Sequence, residues 1–220
     1  MASIICDYKV FGLLEFLQIH PRMVVRPTSE QELNIEGQFD FTASSKKHER
    51  ITDSYQLRIL VPPLFPREVP TVYETQSRIP KNGSYHVNSD GSLCLGSPLR
   101  MLWKLAKAPS LEGFADKCLI PYLFAISHKL SHGGDLPFGE LAHGSPGELM
   151  DYVKLFGLET LDQARTTLCY LGMKKRRANK LPCACGCGQR LGRCRFNAKL
   201  KKFRQLADRS WFRAILLYTK

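Results

Sequence analysis

The stretch Tyr55-Gln56-Leu57-Arg58-Ile59-Leu60-Val61-Pro62-Pro63-Leu64-Phe65-Pro66-Arg67-Glu68-Val69-Pro70 decides the fold. Its first half sets Tyr55, Leu57, Ile59 and Val61 on one face, the two-residue period of a half-buried strand. Its second half carries prolines at 62, 63, 66 and 70. Prolines lack an amide donor and fix φ, so a central strand or helix interior is excluded there. Upstream, Leu33, Ile35, Gly37, Phe39 and Phe41 alternate in the same way, and polar residues 44–50 predict the turn between the two strands. Short connections of this kind favour an antiparallel meander. Further upstream, Val10, Leu13, Leu14, Phe16 and Leu17 predict an amphipathic helix over 6–19, ended by His20-Pro21.

Downstream, Val72-Tyr73 predicts a short strand and 79–98 a long structured loop. Loops of that length in compact domains are usually functional. Ser110 is placed to cap a helix from Leu111, and Pro121 to open a second helix as its first residue. Ser145-Pro146-Gly147-Glu148 reads as a capping box opening a helix through Leu149, Tyr152, Val153 and Phe156. Another helix follows over 161–171, then a basic linker over 174–180 and a final basic helix over 199–217.

Charge divides the chain unevenly. Residues 174–220 hold fifteen Lys and Arg against one acid, Asp208, whereas the other 173 residues hold 17 bases and 19 acids. A nearly neutral body carrying so basic a tail implies an anionic partner for the tail, either nucleic acid or an acidic protein face. The 44% hydrophobic content suits a packed globular chain, and no run of apolar residues is long enough to span a membrane. The first ten residues lack the pattern of a secretory signal, so the expected location is cytoplasmic and reducing.

The eight cysteines are uneven as well. Four are scattered, at 6, 94, 118 and 169, and four fall within twelve residues, at 183, 185, 187 and 194. In a reducing compartment clustered thiols read as metal ligands before disulfides. Cys118 and Cys169 read as packing residues on apolar helix faces. Cys94 has a different setting, Ser84-Tyr85-His86-Val87-Asn88-Ser89-Asp90-Gly91-Ser92-Leu93-Cys94-Leu95-Gly96. An irregular glycine-bearing segment can expose a sulfur, and Asp90-Gly91 and Ser92 are turn chemistry.

A strand, a proline-rich turn, the loop Asn88-Ser89-Asp90-Gly91-Ser92-Leu93-Cys94-Leu95 and Trp103 nine residues on resemble a ubiquitin-conjugating enzyme over roughly residues 6–131. The resemblance implies that Cys94 accepts the C-terminal carboxyl of a ubiquitin-like protein as a thioester and passes it to an amine. A thiolate is a strong nucleophile near neutral pH, and a thioester keeps the acyl group reactive. Ser84-Tyr85-His86 stands where the family has His-Pro-Asn, so His86 replaces the asparagine. Its N–H can donate to a developing oxyanion, or its ring can act as a base. A histidine there is similar to the bacterial relatives, which sit in antiphage conjugation systems. The partners implied are an activating enzyme and, as acyl donor, a ubiquitin-like protein or the C-terminus of a cyclic-nucleotide synthase.

Cys183-Ala184-Cys185-Gly186-Cys187-Gly188 with Cys194 offers four thiolates and glycines that let the backbone wrap an ion, a donor set suited to zinc. The string resembles the small zinc motif at the C-terminus of the SecA translocation motor. Cys183, Cys185 and Cys194 match three of its ligands. Arg195 stands in place of the fourth, a histidine, and Cys187 is the alternative. Phe196, Phe203, Trp211 and Phe212, interleaved with bases, permit stacking on nucleic acid, docking on an acidic protein, or a helix with a buried stripe.

Together these readings predict an α+β, ubiquitin-conjugating-like domain over 1–135, a helical extension and basic linker over 136–180, and a basic zinc-binding tail over 181–220. The function expected is acyl transfer through Cys94. A non-catalytic adaptor for a ubiquitin-like partner and a zinc-dependent nucleic-acid-binding protein are the alternatives.

Overall fold

The computed structural model describes residues 12–27, 32–45, 48–137 and 144–219. The chain is α+β and falls into two compact units, Met1–Glu140 and Leu141–Lys220. No helix among the described residues is long and apolar enough to cross a membrane.

The first unit opens with helix α1 (Leu13–Ile19). Residues 6–11 of the expected helix lie outside the described residues. Four strands follow, β1 (Met23–Arg26), β2 (Leu33–Ser45), β3 (His48–Val61) and β4 (Thr71–Glu74). They form an antiparallel sheet in the order β1-β2-β3-β4. The strand β1 was not anticipated from the sequence. Gly37 makes it possible: a Cβ there would sit 2.1 Å from the Arg22 carbonyl oxygen and 2.9 Å from Met23 Cα, and its φ of +147° suits glycine. The turn expected over 44–50 is much shorter, because the strands run on to Ser45 and from His48. Their outer ends are held by a Thr42–Thr52 hydroxyl hydrogen bond of 2.9 Å.

Register puts Leu33 opposite Val61, Ile35 opposite Ile59, Gly37 opposite Leu57 and Phe39 opposite Tyr55. All of these but the glycine are buried, so the two-residue period reads directly as one core-facing side. A helical run covers that face. It comprises α3 (Leu111–Phe114), a wider-wound segment Ala115–Leu119 and α4 (Ile120–His132). Ser110 caps it, its side chain accepting from the Gly113 amide. The two separate helices expected at Leu111 and Pro121 are thus one continuous run. Pro121 has no amide to offer the Lys117 carbonyl, and the Lys104 ammonium donates to that oxygen instead, at 2.8 Å. Phe114, Cys118, Leu119, Leu123 and Ile126 are buried in the same core as Ile35, Phe39, Leu57 and Ile59. A fully buried side chain of this kind stabilises by about 1.5–3 kcal/mol.

Helix α2 (Pro98–Leu105) precedes this run, with Pro98 in its first turn and Leu99, Leu102 and Leu105 buried at a spacing of three. Pro98 and the leucine spacing are the sequence signals for this helix. Trp103 lies on α2, partly exposed, with Lys107 Nζ 5.6 Å over its ring.

The second unit contains α5 (Gly144–Phe156), α6 (Leu161–Gly172), α7 (Lys175–Ala178), the cysteine segment, α8 (Phe196–Phe203) and α9 (Arg209–Tyr218). Two expectations are corrected here. The basic linker 174–180 is largely helical, with Ala178 fully buried. The single helix over 199–217 is two helices, because Asp208 is extended between them and lets Phe203 and Phe212 both reach the interior. Tyr170 of α6 donates to the Pro182 carbonyl at 2.9 Å, and α9 packs on α6. Thr160 and Gln163 form a capping box at the start of α6, and the Phe156 and Phe203 rings meet edge to face at 4.9 Å.

Candidate functional sites

The Cys94 loop is built against β4 and α4. Glu74, at the end of β4, is buried and accepts from the amides of Gln76, Arg78 and Ile79, which fixes the exit from the sheet. The chain returns so that the Leu93 amide donates to the Val72 carbonyl at 2.8 Å and Ser92 bridges to Tyr73. The returning arm therefore continues the sheet for two residues and delivers Cys94 beyond its edge. Between the arms, Val87 bridges Leu93, and Asp90 accepts from both the amide and hydroxyl of Ser92. Asp90 and Ser92 are turn formers, as expected. These hydrogen bonds hold the Asp90 carboxyl below its usual value.

Residues 83–86 form the other arm. Gly83–Tyr85 is one tight helical turn, and His86 closes it in the left-handed region at φ 51°, ψ 48°. Histidine is one of the few side chains enriched there. The His86 carbonyl accepts from the Cys94 amide at 2.8 Å, so the two predicted site residues are tied together through the backbone. From beneath, Tyr122 donates to the Tyr85 carbonyl at 2.9 Å and Lys129 donates to that of Ser84 at 2.9 Å. Burial, followed by the neighbouring Cys94, pushes the Tyr122 hydroxyl far above its ordinary value, so it stays a donor. The His86 side chain is buried, while Cys94 is partly exposed.

A charge network joins β3, the segment after β4 and α4. Arg78 forks onto both Asp53 oxygens at 2.8 Å, Ser127 donates to Asp53 at 2.6 Å, and the Tyr55 hydroxyl joins Ser127 at 2.8 Å. Burial alone would raise the Asp53 carboxyl, but the hydrogen bonds from Arg78 and Ser127 outweigh it and hold it low.

The second site is the cysteine cluster. A tight hairpin carries it, with Leu191 N–H to the Leu181 carbonyl at 2.9 Å, a Pro182–Arg190 bridge, and Cys183 N–H to the Gln189 carbonyl at 2.8 Å. Gly186 and Gly188 take φ of +78° and +75°, the left-handed bends that fold three cysteines inward. Cys183 Sγ lies 3.3 Å from Cys185 Sγ, and Cys194 Sγ lies 3.7 Å from Cys185 and 3.5 Å from Cys187. All four sulfurs fall within 4.8 Å of one another. Metal–sulfur bonds of about 2.3 Å in a tetrahedron require sulfurs about 3.8 Å apart, so the four can hold a metal ion. Cys187 completes the set, and Arg195 takes no part. The Phe196 amide donates to Cys194 Sγ at 3.4 Å, which lowers the Cys194 thiol, whereas burial raises that of Cys183.

By sequence, His128, His132 and His143 show no ligand spacing, but the fold brings histidines together. His48 at the start of β3 meets His128 edge-on at 4.6 Å, and His128 stacks on His132 at 4.5 Å. The i, i+4 spacing of 128 and 132 was the available signal. Of the four aromatics read as stacking candidates, Phe203 and Phe212 are fully buried core residues, while Phe196 and Trp211 are partly exposed. Cys118 is buried and Cys169 partly exposed; Cys6 and His143 lie outside the described residues.

Comparison with protein-family models, curated proteins and solved structures gives no match.

Proposed function

We propose that the first unit is a ubiquitin-conjugating-like acyltransferase domain and that Cys94 is its nucleophile. The observation that carries the reading is a partly exposed thiol set just past a sheet edge, in a loop braced by β4 on one side and by Tyr122 and Lys129 on the other. The order helix, four-strand meander, proline-rich turn, cysteine loop and covering helices also matches what the sequence resemblance implies.

In the reaction, the Cys94 thiolate attacks the thioester carbonyl carried by an activating enzyme. A new C–S bond forms, the C–S bond to the activating enzyme breaks, and that enzyme's sulfur leaves as thiolate. An acceptor amine then attacks the Cys94 thioester, the C–N bond forms, and Cys94 departs as thiolate while the amine's proton passes to a base. His86 supplies an N–H to the oxyanion of each tetrahedral intermediate, a role worth about 3 kcal/mol per donor. The acyl donor is a ubiquitin-like protein or the C-terminus of a cyclic-nucleotide synthase, in a bacterial antiphage setting in the cytoplasm. Zinc is the metal proposed for Cys183, Cys185, Cys187 and Cys194, because four thiolates in a tetrahedron select it. There it supplies cross-linking of the hairpin.

The test is adduct formation with the cognate activating enzyme and donor on non-reducing gels. Wild-type protein is expected to give a band lost on adding reductant, Cys94→Ser a reductant-resistant ester, and Cys94→Ala nothing. Function in the cell unchanged by Cys94→Ala would favour the non-catalytic adaptor instead.

A further inference from the structure

The basic segment contains a structured hollow as well as surface charge. Leu171, Met173, Lys174, Lys175, Arg204, Ala207, Asp208 and Arg209 line an open cavity of about 450 Å³ where the end of α6, the start of α7 and the α8–α9 junction meet. Arg204 is the unusual member. Its Nη2 donates to the Tyr170 carbonyl at 3.3 Å. Its Nε and Nη1 are sealed from solvent and have no hydrogen-bond partner. Three N–H donors of this half-buried cation are thus unmet, which costs stability. Burial without a compensating acid also pushes the guanidinium below its ordinary value.

The rest of the lining suits one class of ligand. Lys174, Lys175 and Arg209 are exposed cations on the rim, set against the single carboxylate of Asp208. That carboxylate does not cap α9: Asp208 makes no side-chain bond to the helix start, so the first-turn amides of this ten-residue helix have no cap from it. A guanidinium, two ammonium groups and a helix start around one hollow suit the four oxygens of a phosphate. A carboxylate offers two oxygens in one plane, and a single arginine fork saturates it. Bases also continue beyond the hollow, at Arg176 and Arg177 on α7, Lys201 and Lys202 on α8 and Arg213 on α9, all exposed. A lone phosphate needs none of these, whereas a polymer carrying one phosphate after another would meet them in turn.

We propose that this hollow is a phosphate site centred on Arg204 and that it seats a backbone phosphate of a nucleic-acid strand. The site is separate from Cys94 and does not depend on acyl transfer by the first unit.

The experiment is fluorescence anisotropy of an end-labelled oligothymidylate on the full chain, over a salt series. Arg204→Gln is expected to weaken binding about tenfold and to lower the slope of log affinity against log salt by about one. Lys154→Gln, exposed on α5 and outside this basic set, is expected to change affinity less than about twofold. Removing an unmet half-buried charge should also raise the thermal midpoint of the unliganded protein, a change that a merely structural arginine would reverse. If Arg204→Gln does not fold, the double variant Lys174→Gln, Lys175→Gln replaces it, with at least a fivefold loss expected from its two exposed rim cations. Binding by the folded variants equal to wild type would overturn the site. Displacement of the strand by polyglutamate as readily as by unlabelled oligothymidylate would overturn the phosphate assignment, and binding of a mononucleotide without binding of the strand would overturn the polymer.

Discussion

The Cys94 loop and the Cys183–Cys194 hairpin solve the same problem, holding sulfur in a defined place, by opposite means. The hairpin is local: four ligands, two left-handed glycines and the closing hydrogen bonds all lie within eleven residues, 181–191, plus Cys194. The loop is distributed. Its single sulfur is placed by β4, by the turn at 83–86 and by Tyr122 and Lys129 on a helix some thirty residues downstream. A metal would make the first arrangement rigid on binding, whereas the second is held by protein contacts alone.

If that contrast is right, metal removal gives the largest effect. Cys185→Ser, or chelation of the wild type, is expected to cost the second unit several kcal/mol out of the roughly 10 that structural zinc supplies to small domains. Elemental analysis should fall from one zinc per chain toward none, and calorimetry should show the transition of the second unit moving while that of the first stays. Coincident loss of both transitions would break the distinction.

A smaller effect is expected at the loop. Tyr122→Phe leaves the Tyr85 carbonyl without its donor, at a cost of about 1–3 kcal/mol. Adduct formation on Cys94 should slow while zinc content is unchanged. An unaltered adduct rate would mean that α4 does not brace the loop.

The smallest effect concerns the network under the sheet. Asp53 is held below its unfolded value, so its pairing with Arg78 contributes stability above about pH 4 that is lost as pH falls through the lowered folded value. Asp53→Asn should therefore lower stability by about 1 kcal/mol at neutral pH, with the gap to wild type closing in acid. Urea titrations at neutral and acid pH check this, and a gap that widens in acid would contradict the sign.

The same contrast decides what could be read from the chain. Alternation through Leu33–Phe41 and Tyr55–Val61 exposed the meander, because a strand's burial repeats every second residue. The cysteine cluster was legible because its spacing is written within twelve positions. Strand β1 was not, since its four residues gain their place from Gly37 on a neighbour. The break between α8 and α9 was hidden because Leu206, Phe212, Ile215 and Leu216 read as the apolar positions of one helix. Arg204 escaped notice among fifteen bases; only folding strips its partners away.

Gly37 carries a consequence for anyone diversifying this chain. Every other position of β2 tolerates a side chain on one face or the other, but here the adjoining strand passes where a methyl group would be. Even alanine at this position should unzip the outermost strand, shrinking the sheet to three and freeing the corner that joins it to the first helix. Mutational libraries should return glycine at residue 37 whatever activity is selected, which makes it a reporter of folding alone.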